Sequence, residues 1–189
     1  MQLEYWFGGT DAFDVRSFLL QEVPMRRRAT ARTSAALATV LLSVSFRPAA
    51  AQLGAGVASK VVEGCAAHAR GKGQSHAIAV YDEGGHAVAL LRMDGNAPGI
   101  MAFAMQKAEA VAHWRFSTAE MAAAARETPG FASAPHVVIV PGGIPIYSAD
   151  GRQFLGAVGV SGEAPSDDVA CAEAGVRAAG LLSVRRRPG

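Results

Sequence analysis

The chain has 189 residues, half of them hydrophobic, with 18 Lys and Arg against 16 Asp and Glu. Six of those bases and four of the acids precede Gln52, which leaves twelve of each beyond it, three of the bases in the tail Arg185-Arg186-Arg187. So even a balance excludes an electrostatic footprint for nucleic acid, and the length beyond Gln52 suits one domain with one core.

Met1 to Pro24 carries four acids and one Arg and fits no targeting pattern. Met25 is therefore the expected start, and residues 1–24 a doubtful upstream extension. Arg26-Arg27-Arg28 and Arg32 then form a basic n-region, and Ala35 to Phe46 an uncharged apolar stretch too short to span a bilayer. Pro48 breaks the helix ahead of Ala49-Ala50-Ala51, small residues that suit cleavage before Gln52. Residues 25–51 are expected to be a signal peptide, 52–184 a single domain and 185–189 a basic tail. The general secretory route fits best, although the paired arginines also suit a twin-arginine one, and the product is expected in the periplasm or secreted. No membrane span is expected once the signal is removed.

Gln52 to Lys72 is Ala- and Val-rich, ends at Gly71-Lys72-Gly73, and reads as a helix with a glycine stop. His76 to Tyr81 and His86 to Leu91 alternate around Asp82-Glu83-Gly84-Gly85, a hairpin whose glycines supply positive φ. The loop Arg92 to Gly99 leads into the longest helix, Ile100 to Phe116, followed by a shorter one from Thr118 to Arg126. Thr128-Pro129-Gly130 breaks that helix, and His136 to Val140 reads as a buried strand. Pro141-Gly142-Gly143 is a tight turn, Ile144 to Ser148 an edge or bulged strand because it contains Pro145, and Phe154 to Val160 a strand. Ser166 is the expected cap of a last helix, with Asp167 and Asp168 in its first turn. The order predicts an α+β domain, with a mostly antiparallel sheet of about five strands flanked by helices.

On the long helix, Ile100, Met101, Ala104, Met105, Ala108, Val111 and Ala112 form one apolar arc, while Gln106, Glu109 and His113 share the opposite side. Lys107 borders the arc and Arg115 projects into its middle. A cation at a core edge needs an anion, either a protein carboxylate such as Asp94 or a bound carboxylate gripped by the guanidinium. His86 follows two glycines at the start of a strand. There it can ligate haem iron, hydrogen-bond a small acid, or simply pack at the mouth of the hairpin. His113 reads either as a ligand or as a solvated histidine beside Glu109. Met93, Met101 and Met105 are soft contacts for a flat ligand or ordinary core. His68, His76 and His136 support no specific argument.

Cys65 and Cys171 lie on Ala-rich helices and read equally as buried thiols or as a bridge, which export permits. No CxxC, HxxxH or HExxH occurs, so no motif assigns a metal, and Asp167 and Asp168 read as helix-start acids before they read as ligands. No nucleophile–base pair, paired catalytic carboxylates or phosphate loop stands out, which makes the enzyme reading thin.

Four segments in order, Ile78 to Gly95, Gln106 to Thr118, Pro141 to Arg152 and Leu155 to Gly162, followed by Asp167 to Gly175, resemble the GlcG/HbpS-type haem-binding family over nearly the whole region from Leu53 to Leu182. The resemblance implies a profilin-like domain that assembles into dimers or larger rings and binds haem or a related tetrapyrrole, as an accessory or stress-sensing factor. It also leaves room for a small hydroxy acid such as glycolate, or for an oligomeric scaffold that binds proteins. The implied binding surface comprises His86, Arg92, Met93, Asp94, Lys107, Gly142 and Gly143, to which Arg115 is added from its own charge argument. The axial ligand of a haem would be His86 or His113. Within that fold the first and last helices lie side by side, so Cys65 and Cys171 are expected to meet as a disulfide.

Overall fold

A computed structural model describes residues 52–186. The expected extension (1–24), signal peptide (25–51) and the last three residues of the basic tail lie outside the described residues. The domain contains α1 (Ala55–Gly71), β1 (Ala77–Asp82), β2 (Ala87–Arg92), α2 (Pro98–Trp114), α3 (Thr118–Glu127), β3 (Gly143–Tyr147), β4 (Phe154–Ser161) and α4 (Pro165–Ala178). Among the described residues no helix is long and apolar enough to cross a membrane.

The strands pair in the order β2-β1-β4-β3, every neighbour antiparallel. Alternation along β1 divides the core in two. Ile78 and Val80 join α1, α4 and the valines of β4 in one cluster, while Ala77, Ala79 and Tyr81 face α2 in the other. The α2 side is lined with small residues, which bring the helix unusually close. A side chain on Gly159 would run into the Ala104 carbonyl, and one on Gly143 would meet the Lys107 carbonyl and Thr118. On the opposite face, Gly175 performs the same task against the Val61 carbonyl of α1. Cys65 and Cys171 form the expected disulfide between α1 and α4, with Cα atoms 4.6 Å apart, inside the range a bridge requires.

Among the described residues four strands form rather than about five. Residues 136–140 make no ladder, because His136 adopts a left-handed backbone (φ 57°) that interrupts extension at the first residue of the run. Val137 and Val138 pack half-buried against the α2 cluster, but Ile139 is 46 % exposed, so the expected buried strand is neither a strand nor buried. Pro145 lies on β3, the edge strand, as its missing donor demands. Pro98 begins α2, where a helix has no use for the lost N–H. The last helix is capped at Ala164 without a side-chain bond, so Ser166 lies inside it rather than before it.

Ser117 and Glu120 form a capping box at the start of α3: the Glu120 N–H donates to the Ser117 hydroxyl at 3.2 Å, and the Ser117 N–H donates to the Glu120 carboxylate at 2.6 Å. Ser117→Ala is expected to lower stability by about 1 kcal/mol in urea unfolding.

Candidate functional site

Lys107 does not reach a ligand surface. The close approach of α2 to β4 leaves it only 1 % exposed, and its ammonium donates to the Val160 carbonyl at 2.8 Å and to Asp168 at 3.0 Å. Asp168, expected as a helix-start acid, is also buried and lies 3.1 Å from His76 Nδ1. The anion that Lys107 needs is thus Asp168 and not Asp94. Burial pulls the Lys107 ammonium below its ordinary value, and the hydrogen bond and charge of Asp168 pull it back. Gly142 (φ 128°) packs over this pair: a side chain there would meet both the Val160 carbonyl and the Lys107 ammonium. Gly143 donates its N–H to the Thr118 hydroxyl at 3.0 Å. Both glycines therefore serve interior packing.

The hairpin end is different. The Asp82 carboxylate accepts from the Gly84 and His86 N–H groups, both at 2.9 Å, and Gly85 takes the positive φ (81°) that closes the turn. The same oxygen lies 3.3 Å from His86 Nδ1, and the imidazole is 80 % exposed. Asp82 therefore both builds the turn and orients the ring, with Nε2 pointing away from the carboxylate. Sequence reading treated Asp82 as a turn residue only. Its spacing, two residues before Gly84 and four before His86, was the available signal.

A second imidazole group stands beside this turn. A side chain on Gly85 would lie 3.6 Å from His113 Nε2. His113 stacks on His136 with ring centroids 4.0 Å apart, and Glu109 lies 3.9 Å from His113 Nε2 and 3.3 Å from His136 Nδ1. Trp114 fixes the approach of the two elements: its indole N–H donates to the Pro135 carbonyl at 3.0 Å, and its ring packs edge-on against Phe131. Tyr81, buried on the neighbouring strand, has its hydroxyl pushed above the ordinary tyrosine value by burial and by the Glu109 charge. His136 carried no signal in the sequence, because its role depends on a loop fold and not on periodicity.

The remaining expected residues lie elsewhere. Arg92, Met93 and Asp94 sit at the opposite end of β2 from His86, a strand of six residues and therefore about 20 Å long. There the Arg92 guanidinium donates to the Asn96 carbonyl, the Met93 sulfur accepts the His76 N–H at 3.5 Å, and the Asp94 carbonyl accepts the Ser75 hydroxyl at 2.6 Å. Arg115 does not project from the apolar arc, because α2 ends at Trp114 and Arg115 follows as a left-handed cap (φ 63°). It is exposed, lies over the Phe154 ring at 5.0 Å, and lines a cleft of about 690 Å³ with Gly143, Tyr147, Glu173 and Arg185. Lys107 and Arg115 are therefore not brought together into a single carboxylate clamp.

Order, register and packing define a small α+β domain with one antiparallel sheet between a helix pair and a third long helix. The chain belongs to the HbpS-like family: residues 53–177 match the family described as haem degrading protein HbpS-like. It is 38 % identical over 108 residues to protein GlcG of Escherichia coli (strain K12), a match that spans 56 % of this chain and 78 % of that protein. Among solved structures it is similar to a PduOC:heme complex, with a TM-score of 0.65 at 18 % identity, over 71 % of this chain and 100 % of that one. It is also similar to HbpS, with a TM-score of 0.62 at 24 % identity, over 70 % and 93 % of the two chains. The Klebsiella pneumoniae protein ORFY has a TM-score of 0.62 at 22 % identity, over 73 % and 99 %. At these identities the structural likenesses establish the fold.

Proposed function

We propose that this is an exported haem-binding protein that offers His86 Nε2 to the iron. The carrying observation is the exposed His86 ring, whose Nδ1 faces Asp82 at 3.3 Å. Metal-ligating histidines characteristically present one ring nitrogen while a carboxylate or carbonyl holds the other, which sets the tautomer and raises the basicity of the ligating nitrogen. The residues present thus fit an iron porphyrin in donor chemistry. Membership of the HbpS-like family and similarity to a protein solved as a heme complex support the same ligand. A bound haem would supply the iron as a Lewis-acid centre; His86 would be the imidazole that holds it, oriented by Asp82.

Export is part of the proposal. It rests on the signal-like order of residues 25–51 and on a disulfide, which persists in oxidising compartments. Assembly into homo-oligomers, with an accessory or stress-sensing role, belongs to the same reading. The outer strand β2, with Leu90 46 % exposed, offers apolar surface for it.

Haemin titration tests the ligand. The wild type is expected to give a saturable Soret shift, and His86→Ala to lose it or weaken it at least about tenfold. No saturable shift in the wild type overturns the haem reading, and an unchanged shift in His86→Ala overturns the role of His86.

A further inference from the structure

We propose that Glu109, His113 and His136 form a binding site for a divalent first-row transition-metal ion, separate from the haem ligand His86. One ligand atom from each residue lies within 4.8 Å of the other two. Two imidazole nitrogens and one carboxylate oxygen are a donor set that such ions take, and zinc sites of two histidines and one glutamate keep a further position open. Ligands at about 2.0–2.2 Å from a zinc ion stand roughly 3.3 Å apart. The His136 Nδ1 to Glu109 separation is already 3.3 Å, and that from His113 Nε2 to Glu109 is 3.9 Å.

The three residues come from α2 and from the loop after α3, which meet through Trp114 and through Val137 and Val138 packed on the α2 cluster. Glu109 and His113 are one turn apart on α2, so their side chains share a face. His136 arrives from the loop, held by the Trp114–Pro135 hydrogen bond and by a left-handed backbone that a non-glycine residue adopts at a cost. That conformation delivers the ring onto His113, and with it Nδ1 beside the Glu109 carboxylate. The rings stand stacked, 25° from parallel, so capture of an ion turns one of them about its Cβ–Cγ bond until both nitrogens face the metal. The side chains of His113 and His136 are 44 % and 45 % exposed, so the turn is made toward solvent and not into the core.

The test uses tag-free protein, Zn2+ in competition with a chromophoric chelator, and Co2+ absorption as a report of nitrogen ligation. One equivalent of Zn2+ is expected to bind. Glu109→Gln, His113→Ala and His136→Asn should each weaken it at least about tenfold, as removing a direct ligand must do no less than removing an outer partner. Asparagine tolerates the left-handed backbone at 136, so that variant removes the imidazole while keeping the loop. Circular dichroism of each variant checks that the fold is kept. Absence of stoichiometric Zn2+ uptake by the wild type overturns the inference, as does unchanged affinity in a folded His113→Ala, His136→Asn double variant. His86→Ala should retain Zn2+ and lose haemin, while His136→Asn should do the reverse. Loss of both ligands in both variants contradicts two separate sites, whereas failure of haemin binding alone leaves this one standing.

Discussion

Reduction of the Cys65–Cys171 disulfide is expected to lower the free energy of unfolding by about 2–5 kcal/mol, which is a large share of the total for a domain of this size. The bridge joins residues 106 apart in sequence and therefore constrains nearly the whole domain in the unfolded chain. A loop of about 100 residues corresponds to about 4.7 kcal/mol in the chain-entropy treatment. The native state demands little in return, because Gly64 and Gly175 already bring α1 and α4 into close contact around the two sulfurs. Urea unfolding with and without a non-thiol reductant measures the effect, and Cys65→Ala with Cys171→Ala should reproduce it. A change below about 1 kcal/mol would mean that the helix pair holds without its bridge.

Asp168→Asn is expected to cost about 3–5 kcal/mol. The carboxylate is 2 % exposed and receives Lys107 at 3.0 Å, His76 at 3.1 Å and the Glu163 N–H at 3.3 Å. Its neutral replacement leaves the buried Lys107 ammonium without a counter-charge. Replacing both members by apolar residues, Lys107→Met with Asp168→Leu, should recover much of the loss, because the desolvation of two charges then disappears together. The pair also carries a pH dependence. Burial sets the Lys107 pKa below 10.5 in the folded state, so below that value the unfolded chain binds more protons, and this group's contribution to stability rises with pH. Tyr81 acts in the other direction. Its pKa is raised above 10.0 on folding, so the unfolded chain loses that proton first, and stability falls as pH climbs beyond 10.0. Urea unfolding across the alkaline range should show the rise, and should show it vanish in the doubly apolar variant.

The local features were legible. Alternation around Asp82 to Gly85 marked the hairpin, and the apolar arc of Ile100 to Ala112 marked the face that α2 buries. The helix pair that joins the cysteines followed from the family resemblance. The need of Lys107 for an anion was legible too, but not its identity, because Asp168 lies 61 residues away and meets it only after α4 has packed on the sheet. Arg115 was misplaced because α2 ends on a left-handed non-glycine residue, which leaves no glycine to mark the stop. His136 was misread for the related reason that a β-branched run after it looks like a strand unless the backbone break at its first residue is known. The site divided accordingly. His86 and His113 were singled out from turn and helix spacing, while the placement of Asp82 beside His86 and of His136 beside His113 required the fold.

The central claim is that a single oriented imidazole on the hairpin takes the haem iron. Chemical rescue tests it most directly: His86→Gly is titrated with haemin, with and without free imidazole, and its Soret band is compared with that of the wild type. The glycine variant should lose the wild-type band and regain it when imidazole is added. A variant that keeps the wild-type spectrum with no imidazole present would contradict the account.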